Sequence, residues 1–195
     1  MRPALVLFLL FASGMAYAAP MQSPAPAPSP APKPKQVSSE DKLFAQLKQV
    51  ERAEDAHPIE QKLMAMFRAS GSPSVDLLIT RVQAALSATD KETAKKLIEA
   101  VTTSAPTYAE GWHIRAGMEQ AAGDDTAALV SLQKTVQHNP RHFAALNELA
   151  DMLEDYGDKA GALKLYRRAL ELDPHLPGAS QKLRELTTSV EGRDI

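Results

Sequence analysis

The stretch Pro140–Pro174, PRHFAALNELADMLEDYGDKAGALKLYRRALELDP, holds the key to the architecture of this 195-residue chain. Leu146 and Ala150 stand one helical turn apart. Gly157-Asp158 then supplies a tight turn, with glycine taking the left-handed conformation and aspartate capping the second helix. Ala162, Tyr166 and Ala169 resume at helical spacing, and Pro174 ends the run. The stretch recurs upstream. Pro106, Pro140 and Pro174 are 34 residues apart, as are Ala94, Ala128 and Ala162, and Asp90, Asp124 and Asp158. Gly123 and Gly157 keep the step, and so do Trp112 and Leu146, with Leu78 in the same column.

Five columns on one period define a repeated helix-turn-helix, and a period of 34 is that of the tetratricopeptide unit. The units run Val75–Tyr108, Ala109–His142 and Phe143–Leu176. The columns make physical sense. Trp112 and Leu146 sit early in the first helix of a pair, where they insert between helices. The alanine column marks a close helix crossing. Ile98, Leu132 and Tyr166 fill the large apolar column of the second helix. The first unit is degenerate: Thr89-Asp90 stands where the others have Gly-Asp.

On these residues the chain resembles the tetratricopeptide repeat family over 102 of its residues. The runs Tyr108–Trp112 and Pro140–Leu146, and the tail Val190–Ile195, are also similar to a group of short exported repeat proteins of proteobacteria. The resemblance implies an all-α fold, an α-solenoid of stacked helix pairs. It also implies that the first helix of each pair lines a concave surface, through the second, fifth, ninth and twelfth positions of each unit. The candidate partner-binding residues there are Gln83, His113, Gln120, Asn147, Asp151 and Glu154. The Lys/Arg set with which some members clamp an acidic peptide terminus is missing. The acidic third unit therefore either takes a neutral or basic peptide or is simply solvated.

Ahead of the units, Ser39–Pro73 reads as two helices: a cap on the first unit or a divergent repeat. Leu43, Phe44, Leu47 and Val50 form one apolar stripe, and Leu63, Met64 and Phe67 another. Pro177–Val190 reads as a solvating cap helix with Leu183, Leu186 and Val190 on one side, followed by a short tail. At the other end, residues 1–18 have the order of a secretory signal: Arg2, the apolar run Ala4–Ala12, and Ala16-Tyr17-Ala18 before a cleavage point. Residues 19–38 are rich in Pro and Ala and read as an extended spacer. The apolar run is shorter than the roughly 20 residues a membrane span takes. The expectation is a periplasmic or secreted protein cleaved after Ala18, with no membrane span thereafter.

Composition closes off several functions. The net charge of −2 gives no electrostatic case for nucleic acid. Having no cysteine, the chain makes no disulfide or zinc–thiolate site. No phosphate loop, nucleophile elbow or HExxH occurs, so no enzyme and no cofactor are expected. His138 and His142 are four apart, but Pro140 lies between them and no third ligand has a fixed place nearby, so no metal site is expected. Arg81 and Arg115 occupy one column that the family fills with apolar residues. As buried arginines they would need partners such as Glu92 or Glu99, giving an ion-pair network or an anion site. The leading expectation is a scaffold for a protein or peptide partner in the cell envelope. A self-associating structural protein is the alternative.

Overall fold

The computed structural model describes residues 38–192. The expected leader, nearly all of the spacer and the last three residues of the tail lie outside the described residues. Among the described residues there are nine helices and no strand: α1 Ser39–Gln49, α2 Ala53–Arg68, α3 Pro73–Ser87, α4 Lys91–Ser104, α5 Ala109–Ala121, α6 Asp125–His138, α7 Phe143–Asp155, α8 Lys159–Leu172 and α9 Ala179–Val190. None is long and apolar enough to cross a membrane.

The helix pairs α3–α4, α5–α6 and α7–α8 are three copies of one hairpin. In each turn an aspartate caps the second helix: Asp90 accepts from Thr93 N at 3.0 Å, Asp124 from Ala127 N at 3.1 Å and Asp158 from Gly161 N at 2.9 Å. The residue before it is left-handed in every copy. Gly123 and Gly157 adopt φ of 76° and 85° at no steric cost. The degenerate first copy makes the same turn with Thr89 at φ 60°, which is strained for a β-branched residue. The turn is therefore imposed by packing on both sides and does not depend on glycine.

The repeat columns are the core. Ala94, Ala128, Ala162, Leu132, Tyr166 and Leu146 are fully buried, and Ile98 nearly so. Trp112 also buries its ring and satisfies its indole N–H on Pro106 O at 2.8 Å. Burying each such Leu or Ile contributes roughly 1.5–3 kcal/mol. At the C-terminal end, Ala179 and Leu186 of α9 pack against Ala162, Leu163 and Tyr166, while Val190 remains exposed.

The N-terminal pair departs from its expected place. It does not stack before α3 as a cap or a further repeat; it lies across the solenoid against the starts of α5 and α7 and the end of α8. Phe44 packs edge-on against Phe143 with centroids 6.3 Å apart, and Phe67 lies 6.1 Å from the same ring. Leu47, Leu63, Leu172 and Leu176 complete that cluster. Polar contacts fix the register: Arg141 bonds Asp41 at 2.7 Å, His175 Nε2 lies 2.9 Å from Val50 O, and Tyr108 donates to Arg68 O at 2.7 Å. The reason is the apolar stripes of the pair. The end of α8 and the start of α7 offer an aromatic and aliphatic seat, and the pair covers it.

Candidate functional site

The two junctions between successive repeats use the same columns and are built differently. Where α7 meets α5–α6, Leu149 and Met152 pack on Ala128 and Leu132, with Leu129, Val136 and Leu165 around them. Thirty-four residues earlier, Leu149 is replaced by Arg115, Leu153 by Glu119, Leu165 by Ser131, Val136 by Thr102 and Leu129 by Lys95. The polar set binds itself. Arg115 Nε donates to Glu119 Oε1 at 2.7 Å and its Nη1 to Thr102 Oγ1 at 3.4 Å, while Ser131 donates to Glu119 Oε2 at 2.6 Å. Arg115 also lies 5.4 Å from the Trp112 ring centroid, with Lys134 over the same ring at 3.7 Å. Arg115 thus pairs on its own helix and not with Glu92 or Glu99. Arg81, expected beside it, is exposed and makes no ion pair among the described residues. The two arginines do not form a joint anion site.

This polar junction is open. A cleft of about 430 Å³ is lined by Leu86, Lys95, Ile98, Met118, Ala121 and Ala122 among others. Lys91, Glu92, Glu99, Arg115, Glu119 and Asp124 line it too, so apolar and charged groups share its wall. At the other junction Tyr156 occupies the column of Ala122 and donates to Asp125 Oδ2 at 3.0 Å, so its ring bridges the two repeats where alanine leaves a gap.

The expected concave residues divide along the same line. Gln83, Gln120 and Leu86 are exposed. A Cβ added to Gly117, three residues before Gln120 on α5, would meet nothing within 4 Å. Asn147, Asp151 and Glu154 are half-buried and engaged. Asn147 Nδ2 donates to Asp151 at 3.2 Å, Tyr166 donates to Asp151, and Glu154 accepts from Lys182 at 3.0 Å. Burial and these two carboxylates push the Tyr166 hydroxyl pKa up.

His113 belongs to a different arrangement, whose other members sequence reading did not connect. Glu110 and His113 are one turn apart at the start of α5, and His142 precedes α7. Glu110 Oε2 is 3.0 Å from His142 Nε2 and 3.4 Å from His113 Nδ1. His113 Nε2 lies 3.1 Å from both oxygens of Glu148. The imidazole rings meet edge-on at 4.4 Å, and Phe67 closes over His142 at 5.0 Å. Burial alone would raise Glu110, but its bonds from His113 and His142 outweigh burial and hold it at about 2. Burial would lower His113, but the flanking carboxylates raise it to about 9. His142 is lowered, by burial first and by the charge of His113. Its Nδ1 accepts from Ala145 N at 3.2 Å, capping α7. The signal for this cluster was the period itself: first helices of adjacent repeats start side by side, so the last residue of one repeat falls beside its own second and fifth.

Comparison with known proteins agrees with this architecture. Residues 143–176 match the family model described as Tetratricopeptide repeat. A TPR repeat-containing protein of Rhizobium etli is 26% identical over 152 residues, 78% of this chain and 74% of that protein. The crystal structure of MamA superposes with a TM-score of 0.54 at 17% identity, covering 82% of this chain and 88% of that one. The Yersinia enterocolitica type III secretion chaperone SycD, solved with a peptide of the translocator YopD, superposes with a TM-score of 0.53 at 18% identity, covering 60% and 95%.

Proposed function

We infer, since this chain is a tetratricopeptide repeat protein, that it is a protein-interaction scaffold. It takes a peptide segment of a partner along the first and second repeats. Tetratricopeptide repeats are in general scaffolds and not enzymes, and the comparable solenoid of SycD carries a peptide. The observation that carries the reading is the open junction. Ile98, Met118, Ala122 and exposed Leu86 give it apolar contacts, and Arg115, Glu119, Lys95 and Glu99 line the same wall. An extended segment would set one apolar side chain between Leu86, Ile98 and Met118, with its polar groups met by the charged residues of the same wall. The third repeat serves differently, since Asp151 and Glu154 are held by Tyr166 and Lys182.

A displayed peptide library panned against the full chain tests this. Binders sharing an apolar anchor and losing affinity at least tenfold on Ala122→Tyr would support it. Binders indifferent to Ala122→Tyr would sink it. Work in the cell envelope is part of the proposal and rests on the leader-like residues 1–18. A cellular protein that retains those residues and stays in the cytosol would remove that part alone.

A further inference from the structure

Two imidazoles and a carboxylate converge at the starts of α5 and α7. The nearest-facing atoms of Glu110, His113 and His142 all lie within 4.8 Å of one another. Around a tetrahedral zinc, bonds of about 2.0–2.1 Å place the ligand atoms roughly 3.3 Å apart. Two of the three spacings already match, at 3.0 Å from Glu110 Oε2 to His142 Nε2 and 3.4 Å to His113 Nδ1. The scaffold is rigid: two ligands sit on one face of α5, and the third is fixed in the turn that begins α7. Glu110 and His142 are almost wholly buried. The far nitrogen of His113 rests on the Glu148 carboxylate, the outer arrangement that orients a histidine ligand and raises its basicity.

We propose that Glu110, His113 and His142 bind a borderline divalent transition cation, zinc foremost, through one carboxylate oxygen and two imidazole nitrogens, with water in the remaining position. Two nitrogens and one oxygen suit zinc, cobalt, nickel and copper(II) over magnesium or calcium. Such a cation would join α5 to α7, and so the second repeat to the third, directly beneath Phe67 of the N-terminal pair.

Loading has a structural consequence. In the metal-free chain His142 Nδ1 accepts the Ala145 N–H, so the ring proton lies on Nε2 and points at Glu110. When Nε2 takes the cation, the proton moves to Nδ1 and the Ala145 amide loses its acceptor. His113 gives up its Nδ1 proton to solvent. Arg68, exposed and 4.0 Å from Glu110, swings away into water.

The test uses the full chain, without a polyhistidine tag and stripped with chelator. It is titrated with zinc by calorimetry and with cobalt(II) by visible absorption, beside His142→Gln, His113→Asn and Glu148→Gln. The expected result is one cation per chain and a cobalt spectrum of nitrogen–oxygen tetrahedral coordination. Affinity should fall at least a hundredfold in either histidine variant and about 10–100-fold in Glu148→Gln. The Ala145 amide resonance should shift on loading. Absence of saturable one-to-one binding, or binding equal in wild type and both histidine variants, overturns the site. If His142→Gln does not fold, His113→Asn decides alone, because that ring, unlike His142, keeps some exposure to solvent.

Discussion

The junction between the first and second repeats and the junction between the second and third share a backbone, a period and a turn, yet one is polar and flanks a cleft and the other is apolar. The difference lies in five columns. Leu149, Leu165, Val136 and Leu129 join one apolar cluster, whereas Arg115, Glu119, Ser131 and Thr102 bond one another beside a cleft of about 430 Å³. A repeat fixes where helices go. It does not fix whether a junction is spent on stability or kept for a partner.

Each junction can be converted towards the other. The largest effect is expected where a charge is imported alone: Leu149→Arg puts a guanidinium among Leu132, Met152 and Ala128 with no paired carboxylate provided for it. Denaturant unfolding should show a loss of about 3–5 kcal/mol. Arg115→Ala should cost less, about 1–3 kcal/mol, because Glu119 keeps Ser131 but loses its charged partner. Replacing Arg115, Glu119 and Ser131 together by Leu copies the apolar junction. Stability should then hold or rise while peptide binding disappears; a large loss of stability would show that the polar network does more than substitute for packing.

Smaller effects come from outside the junctions. Thr89→Gly relieves the one left-handed β-branched residue among those described and should stabilise the chain by about 1 kcal/mol, read as a shift in Tm. Asp173 is fully buried with Oδ2 unpartnered among the described residues, and burial raises its pKa to about 6. Its proton is bound more tightly in the folded chain than the ordinary value of 3.8 allows. Its contribution is therefore present below pH 3.8 and lost as pH rises through about 6. Asp173→Asn mimics the protonated form and keeps the bond from His175 N. It should stabilise by on the order of 1 kcal/mol at about pH 7.5, with no gain at about pH 3.5.

The solenoid was legible in the sequence because its signals are periodic. The alanine, proline and aspartate columns each name a buried crossing, a stop or a cap, and the structure uses them so. Thr89 shows that a column can lose its residue while the turn survives, held by its neighbours. The N-terminal pair was legible as two amphipathic helices but not as to its seat. Phe143, Leu172 and Leu176 come from both ends of the third repeat, about a hundred residues from Phe44, and no period links them. Of the candidate site, Gln83 and Gln120 stand exposed on α3 and α5. Asp151 and Glu154 carry contacts to Tyr166 and Lys182 that spacing on one helix does not reveal. Arg81 and Arg115 share a column, yet only Arg115 has a Glu four residues on to draw it against the helix. The Glu110–His142 pair crosses from the start of one repeat to its end, and columns compare like with like, so it escaped them.

A partner seated at the open junction must pass close to Ala121 and not to Asp155. These two residues occupy the same column at the two junctions, and both are exposed. A photoreactive residue placed at each in turn, in the cell of origin, compares them directly. The expected result is a defined partner adduct from position 121 that Ala122→Tyr abolishes, and little or none from position 155. An adduct of equal or greater yield from position 155, or one from position 121 that survives Ala122→Tyr, would place the partner elsewhere and refute the open junction as its seat.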